Sequence, residues 1–291
     1  MVRKIIAGSL LWMMLAVAGL STAHADGSVW KVVKGENHLY IGGTLHLLSK
    51  SDYPLPAVFE DAYRQSAIVV FEADMQKLQS PEFQQLLQSK VVYTDGRTLK
   101  KVLRESTYQA LDRHMTRRGL SMANFEHLKP GMLAITLSLI EMQRLGLVGT
   151  GVDEFFHLRA MNDRKRIGQL ESAEEQLAFL STMGDGREDD LIIQTLRDIK
   201  KLSQLMADLK AAWRQGDKDK LKELAITPVK NDFPRVYQRL FVQRNNNWMP
   251  RIETLMRTKE VEFILVGAAH LVGEEGILAQ LAARGYTIQN P

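Results

Sequence analysis

Leu39-Tyr40-Ile41-Gly42-Gly43-Thr44-Leu45-His46 and Phe263-Ile264-Leu265-Val266-Gly267-Ala268-Ala269-His270 are one arrangement written twice. In each, a short apolar run reaches a glycine, and a histidine stands three residues beyond it. Apolar and β-branched runs of this length, bounded by glycine, read as strands. Glycine at a strand end lets the backbone turn sharply or approach a ligand closely. The histidine then follows the carboxyl end of its strand, the edge at which open α/β sheets bind ligands. Should the two strands be neighbours, their imidazoles converge on one spot.

A third polar group arrives in the same way. Ile68-Val69-Val70-Phe71 is a continuous apolar run, as expected of a strand buried on both faces. It ends in Glu72, with Asp74 two residues on and on the same face if the strand continues. Two imidazoles and a carboxylate suit a catalytic divalent metal with one position left for water. Such an ion lowers the pKa of its water and polarises a carbonyl. His46, His270 and Glu72 are therefore the candidate ligands, with Glu72 open to either of two roles, ligand or general base.

The rest of the chain frames these segments. Trp30–Val33 and His38–Gly42 are β-rich and separated by a turn at Lys34-Gly35-Glu36-Asn37. Helices are expected over Pro56–Ser66, from Ser80-Pro81, over Ser106–Arg118, and over Met132–Leu145, the last apolar nearly all round and hence buried. Arg166–Leu170 reads as a strand, and Ser172-Ala173-Glu174-Glu175 as a capping box opening a helix. Leu191–Trp213 has the pattern of one long helix. Arg235–Phe241, Met249–Thr258 and Glu274–Arg284 continue in helices, and Val261–Val266 and Tyr286–Ile288 in strands. The fold class is α/β, a mixed sheet with strands from both ends of the chain around a helix-rich middle.

Length and composition set the boundaries. Residues 1–25 have the parts of a cleavable export signal: Arg3 and Lys4, an apolar run Ile5–Leu20, and Ala23-His24-Ala25 ahead of Asp26. Residues 26–291 are then one domain, expected in the periplasm and free of the membrane once the signal is removed. There is no cysteine, so disulfides and a lipid-anchoring thiol are excluded. Losing Arg3 and Lys4 takes the formal net charge from +4 to +2, too little and too evenly spread to point to nucleic acid. No His-Glu-x-x-His helix, Gly-x-Ser-x-Gly elbow or P-loop is present. His114, His127 and His157 read as structural.

The motifs together resemble the TraB/GumN family. They are Ile41–His46, Val70-Phe71-Glu72-Ala73-Asp74, Gly151-Val152-Asp153 with Phe155, Leu170-Glu171 with Gln176, Arg244-Asn245, and Val266–Leu271 with Arg284-Gly285-Tyr286. They stand in order from about Gly27 to Gln289. The resemblance extends to the Tiki metalloproteases and implies a fold of the kind shared with ChaN-like and erythromycin-esterase-like proteins. It implies that His46, Glu72 and His270 share one site, with Arg244 nearby. It also implies a metal-dependent peptidase chemistry, for which the Tiki relatives favour manganese or cobalt.

Arg244 reads either as a fixed charge for a substrate carboxylate or oxyanion, or as a surface arginine at a helix end. Asp153 reads as a helix cap or a site residue, and Glu171 as a support, a general base or an exposed side chain. Trp248 reads as core or groove lining. The expected function is an exported metal-dependent hydrolase acting on a peptide or a small amide or ester, with manganese, cobalt or zinc. Two alternatives stand beside it: a metal-free hydrolase using histidine and Glu72, and a peptide-binding protein of the cell envelope without turnover.

Overall fold

The computed structural model describes residues 27–291; the export segment and its Ala23-His24-Ala25 site lie outside the described residues. Among the described residues eight strands form: β1 (Val29–Lys34), β2 (Asn37–Thr44), β3 (Leu47–Leu48), β4 (Ile68–Phe71), β5 (Gly149–Thr150), β6 (Arg166–Gln169), β7 (Glu262–Gly267) and β8 (Thr287–Gln289). Six of them make a mixed sheet in the order β6-β4-β7-β2-β1-β8, and β3 and β5 form a separate ladder. The expected α/β class holds, with strands from both chain ends and helices between.

The two histidine-bearing strands are direct neighbours. β2 and β7 are parallel, with Tyr40 opposite Phe263 and Thr44 opposite Gly267. β4 lies on the other side of β7, again parallel, with Phe71 opposite Leu265. β6 extends the parallel set, with Phe71 opposite Gln169. Four strands thus end at one edge, and each sends its continuation into the same region. The antiparallel β1–β2 hairpin, with Lys34 opposite Asn37, and β8 close the other side.

Leu39 and Tyr40, Val69 and Val70, and Phe263 and Ile264 are all buried, so β2, β4 and β7 are covered on both faces. Trp213 fastens the helix Leu202–Gln215 to the end of β2: its ring N–H donates to the Gly43 carbonyl at 2.7 Å, and Ser28 Oγ donates to the Trp213 carbonyl at 2.7 Å. The aromatic cluster Phe59, Phe156, Trp213 and Phe263 fills the space beneath. A separate apolar cluster, including Leu111, Leu133, Leu137 and Ile192, holds the helical middle together. No helix of the described residues is long and apolar enough to cross a membrane.

Several expected helices differ in detail. Leu191–Trp213 is not continuous: Glu188–Asp198 and Leu202–Gln215 are joined by a 3-10 turn at Ile199–Lys201, a tightening that no glycine or proline announces. The helix Pro130–Arg144 buries Leu133, Ala134 and Leu137 but leaves Leu139 43% exposed, so it lies on the surface rather than through the core. Arg244 follows helical turns, as expected, but does not end them: Pro234–Tyr237 and the π-helical Gln238–Gln243 pass directly into the helix Arg244–Leu255. β4 stops at Phe71, and Asp74 caps the next short helix by accepting from the Gln76 and Lys77 amides at 3.0 Å, away from the face proposed for it.

Candidate active site

Past the ends of β2, β4, β6 and β7 lie His46, Glu72, Glu171 and His270. Gly267 marks the point where they meet. A Cβ on that glycine would stand 3.3 Å from Glu72 Oε1, 3.6 Å from His270 Cδ2 and 3.7 Å from His46 Nε2. Removing the side chain there makes a small cradle, and Glu72 uses it: its Oε1 accepts the Gly267 amide N–H at 2.7 Å. The three groups singled out from the sequence therefore line one hollow.

Arg244 joins them from the opposite wall. Its guanidinium donates to Glu171 Oε1 at 2.6 Å and Oε2 at 3.2 Å, and to Glu72 Oε2 at 2.7 Å. It also donates to His270 Nε2 at 3.0 Å. The side chain is 4% exposed, so the readings of Arg244 as a surface residue and of Glu171 as an exposed one are both corrected. The planar five-donor fork suits this role, since it can meet two carboxylates and an imidazole at once. Trp248, fully buried, stacks beneath the guanidinium at 4.6 Å and donates its ring N–H to Glu171 Oε2 at 3.0 Å.

His270 is held on every side. Trp248 and Phe241 pack on its ring at centroid distances of 4.6 and 5.1 Å. An arginine can only donate, so His270 Nε2 must accept, and its proton sits on Nδ1. That N–H points at Asn245 Oδ1, 2.7 Å away, while Asn245 Nδ2 donates to the His270 and Glu275 carbonyls at 3.2 and 2.9 Å. Burial disfavours the imidazolium, and Arg244 adds to that despite the opposing pull of Glu72, so the pKa falls to about 3. His270 is neutral at physiological pH.

His46 is set up in the opposite way. The Gly149–Gly151 segment runs flush against it: β5 pairs with β3, the Val152 amide donates to the Leu45 carbonyl, and a Cβ on Gly151 would overlap the His46 backbone. Two residues on, in the first turn of the helix Val152–Asn162, Asp153 Oδ1 lies 3.1 Å from His46 Nδ1. Gly151 is the cap, and Asp153 pairs with His46 instead. The Asp153 charge outweighs the desolvation cost and, with help from Glu72, pushes the His46 pKa up to about 9. The side chain keeps 66% of its surface, so water screens the pair.

Glu72 is a carboxylate under strong restraint. Burial alone would raise its pKa, but Arg244, His270, His46 and the Gly267 amide together bring it down to about 2. Glu171 behaves differently: burial raises it, and the Arg244 contacts only partly offset that. Thr44, 2% exposed and opposite Gly267, has no partner for its hydroxyl oxygen among the described residues.

His46, His270 and Glu72 are the right kinds of donor for a divalent ion. Their directions are a poorer fit: the His270 Nε2 lone pair and Glu72 Oε2 both face the Arg244 guanidinium. Among the described residues, no three His, Asp or Glu side chains are grouped as a metal cage. Asn245, to which the motifs assign no task, is the residue that orients His270, and its place directly after Arg244 is the one sequence signal of that role. His114 and His157 are buried apart from this cluster, His114 near Glu141 and His157 against Phe71.

A family model, the TraB/PrgY/gumN family, matches residues 28–290, which takes in every strand and every group just described. The chain belongs to the TraB/PrgY/gumN family. Curated relatives similar to this family member include "Uncharacterized protein YbaP" of Escherichia coli (strain K12), 25% identical over 252 residues, covering 85% of this chain and 88% of the relative. "Uncharacterized protein YbaP" of Shigella flexneri matches with the same identity and coverage. No solved structure matches.

Proposed function

We propose that this chain is a hydrolase of peptide, amide or ester bonds that works with its own side chains, His46 and Glu72, in a field fixed by Arg244. The observation that carries the reading is the Gly267 cradle, where a protonated imidazole and an ionised carboxylate face one hollow. At neutral pH His46 carries a proton on Nε2, held there by Asp153, and is the general acid. Glu72 Oε1 receives a proton from the attacking water as that water adds to the carbonyl carbon. His46 gives its proton to the leaving amine or alkoxide as the bond to carbon breaks, and the proton on Glu72 then returns to His46. Pairs of titratable groups with pKa values driven apart are the usual mark of such a division of labour. Arg244, balanced by Glu171, supplies fixed positive charge beside the developing oxyanion without reorganising.

A metal-dependent peptidase is the second reading, favoured by the meeting of His46, His270 and Glu72 around Gly267. Manganese, cobalt or zinc bound there would acidify a water and polarise the carbonyl. It requires the Arg244 guanidinium to turn away from His270 Nε2. A peptide-binding protein without turnover remains the third outcome of the test.

The test is turnover of a fluorogenic peptide library and of nitrophenyl esters by protein freed of metal with a chelator, then supplied with manganese, cobalt or zinc. Turnover that survives the chelator and vanishes in His46→Ala supports the proposal. Turnover seen only with added metal replaces it with the second reading, and no turnover under any condition removes both hydrolases. The working location is taken to be the periplasm, on the strength of residues 1–25; N-terminal sequencing of the exported protein should begin at Asp26, and recovery of intact protein in the cytoplasmic fraction would end that part.

A further inference from the structure

Away from the hollow, a cavity of about 520 Å³ opens between the end of the helix Ala173–Leu180 and the segment Pro234–Leu240. Its size falls within the range of roughly 300–1,000 Å³ in which proteins take small ligands. Phe179, Leu180, Met183, Phe233, Val236 and Leu240 supply apolar walls. The rim is cationic. Arg187 is committed, to the Asp190 carboxylate and the Asp232 carbonyl at 3.0 Å and to the face of Phe233. Arg235 and Arg239 are exposed and have no carboxylate partner among the described residues. Against these three guanidinia stands one lining carboxylate, Asp185.

Both walls run straight into the proposed active site. The helix Ala173–Leu180 begins two residues after Glu171, and the turns Gln238–Gln243 pass from the cavity wall to Arg244, with Phe241 packed on His270 along the way. Eight helical residues span roughly 12 Å, which an extended peptide covers in about three or four residues. Resting on the hydrolase reading, we propose that this cavity is a substrate subsite for a large apolar side chain that adjoins an acidic residue, about three or four residues from the bond that is cut. The apolar walls take the side chain, and Arg235 and Arg239 meet the carboxylate.

The experiment measures binding apart from catalysis. His46→Ala protein is titrated with the apolar anion 1-anilinonaphthalene-8-sulfonate, and the fluorescent complex is challenged with acetyl-Phe-Leu-Glu-amide, acetyl-Phe-Leu-Lys-amide or dodecanoate. The acidic peptide should displace the probe roughly tenfold better than the basic one. Arg235→Glu with Arg239→Glu should reverse that preference, and Leu240→Arg should weaken both peptides; each variant is checked for an unchanged circular dichroism spectrum. Equal displacement by the two peptides, indifference to the charge reversal, displacement by dodecanoate alone, or no probe binding would each overturn the subsite. Discrimination between peptides with no turnover in the wild type keeps the subsite and removes the hydrolase. Turnover with equal kcat/KM for substrates bearing Glu or Lys at that distance keeps the hydrolase and removes the subsite.

Discussion

His46 and His270 come from the same short pattern on adjacent parallel strands, yet they live under opposite electrostatics. His270 is buried, tethered at both nitrogens, and kept neutral by desolvation and Arg244. His46 is largely open to water and kept protonated by Asp153. The difference does not lie in the Gly-x-x-His spacing. It lies in what packs over each imidazole: a helix bearing Arg244, Asn245 and Trp248 covers one, and the first turn of another helix, bearing Asp153, only touches the other. One motif has been used once as a fixed post and once as a titrating group.

The largest blow to this contrast should come from Arg244→Gln. It leaves Glu72 and Glu171 facing each other without a cation in a buried site, at a cost of about 3–5 kcal/mol in stability. Denaturant unfolding should register that loss, and activity should vanish with it. His46→Ala comes next and separates function from fold. Activity should fall by about 10²–10⁴, while the melting temperature barely moves, because the side chain is mostly exposed.

The two histidines should also tilt stability in opposite directions with pH. His270 has a folded pKa below its unfolded value, so only the unfolded chain takes up that proton between pH 6.5 and about 3; stability is complete above this window and falls as pH drops through it. For His46 the folded pKa is raised, so its contribution is present below pH 6.5 and is lost as pH climbs toward about 9. Denaturation series across pH should show His270→Gln flattening the acid slope and His46→Gln flattening the alkaline one, the latter less because of solvent screening.

Asp153→Asn sharpens the comparison further. It should move the alkaline limb of the rate profile from near 9 down toward the ordinary imidazole value, with little change in unfolding midpoint; an unmoved limb would detach His46 from the acid role. The smallest effect expected is from Gly267→Ala. Its methyl would stand tight against Glu72 Oε1 and in ordinary contact with both imidazoles, costing about 1 kcal/mol and raising KM.

The central strands are legible because they are apolar runs that stop at a glycine or a charge: Ile68–Phe71, ended by Glu72, has the expected bounds, and the turn at Gly35 falls where expected. The twinned motif likewise announced the central neighbours. Supporting groups were harder to see. Asp153 reaches His46 across 107 positions, and Asn245 reaches His270 across 25, so neither partnership leaves a local mark. An aspartate at a helix start has an ordinary job available as a cap, and Asp74 indeed takes it. The break at Ile199–Lys201 has no glycine or proline to mark it, and the cavity is a product of packing that no periodicity encodes.

β7 is hydrogen-bonded to β2 on one side and β4 on the other, and nothing else in the sheet joins those two halves. Being late in the chain, it must slide between partners laid down some two hundred residues earlier. Until it does, the hairpin β1–β2 and the pair β4–β6 are unconnected fragments, and the glycine around which the polar cluster assembles is missing. Such long-range insertion is slow, so a chain caught midway has two open edges and an unassembled polar cluster: Glu72, His46 and His270 are brought together in one closing event, never by degrees.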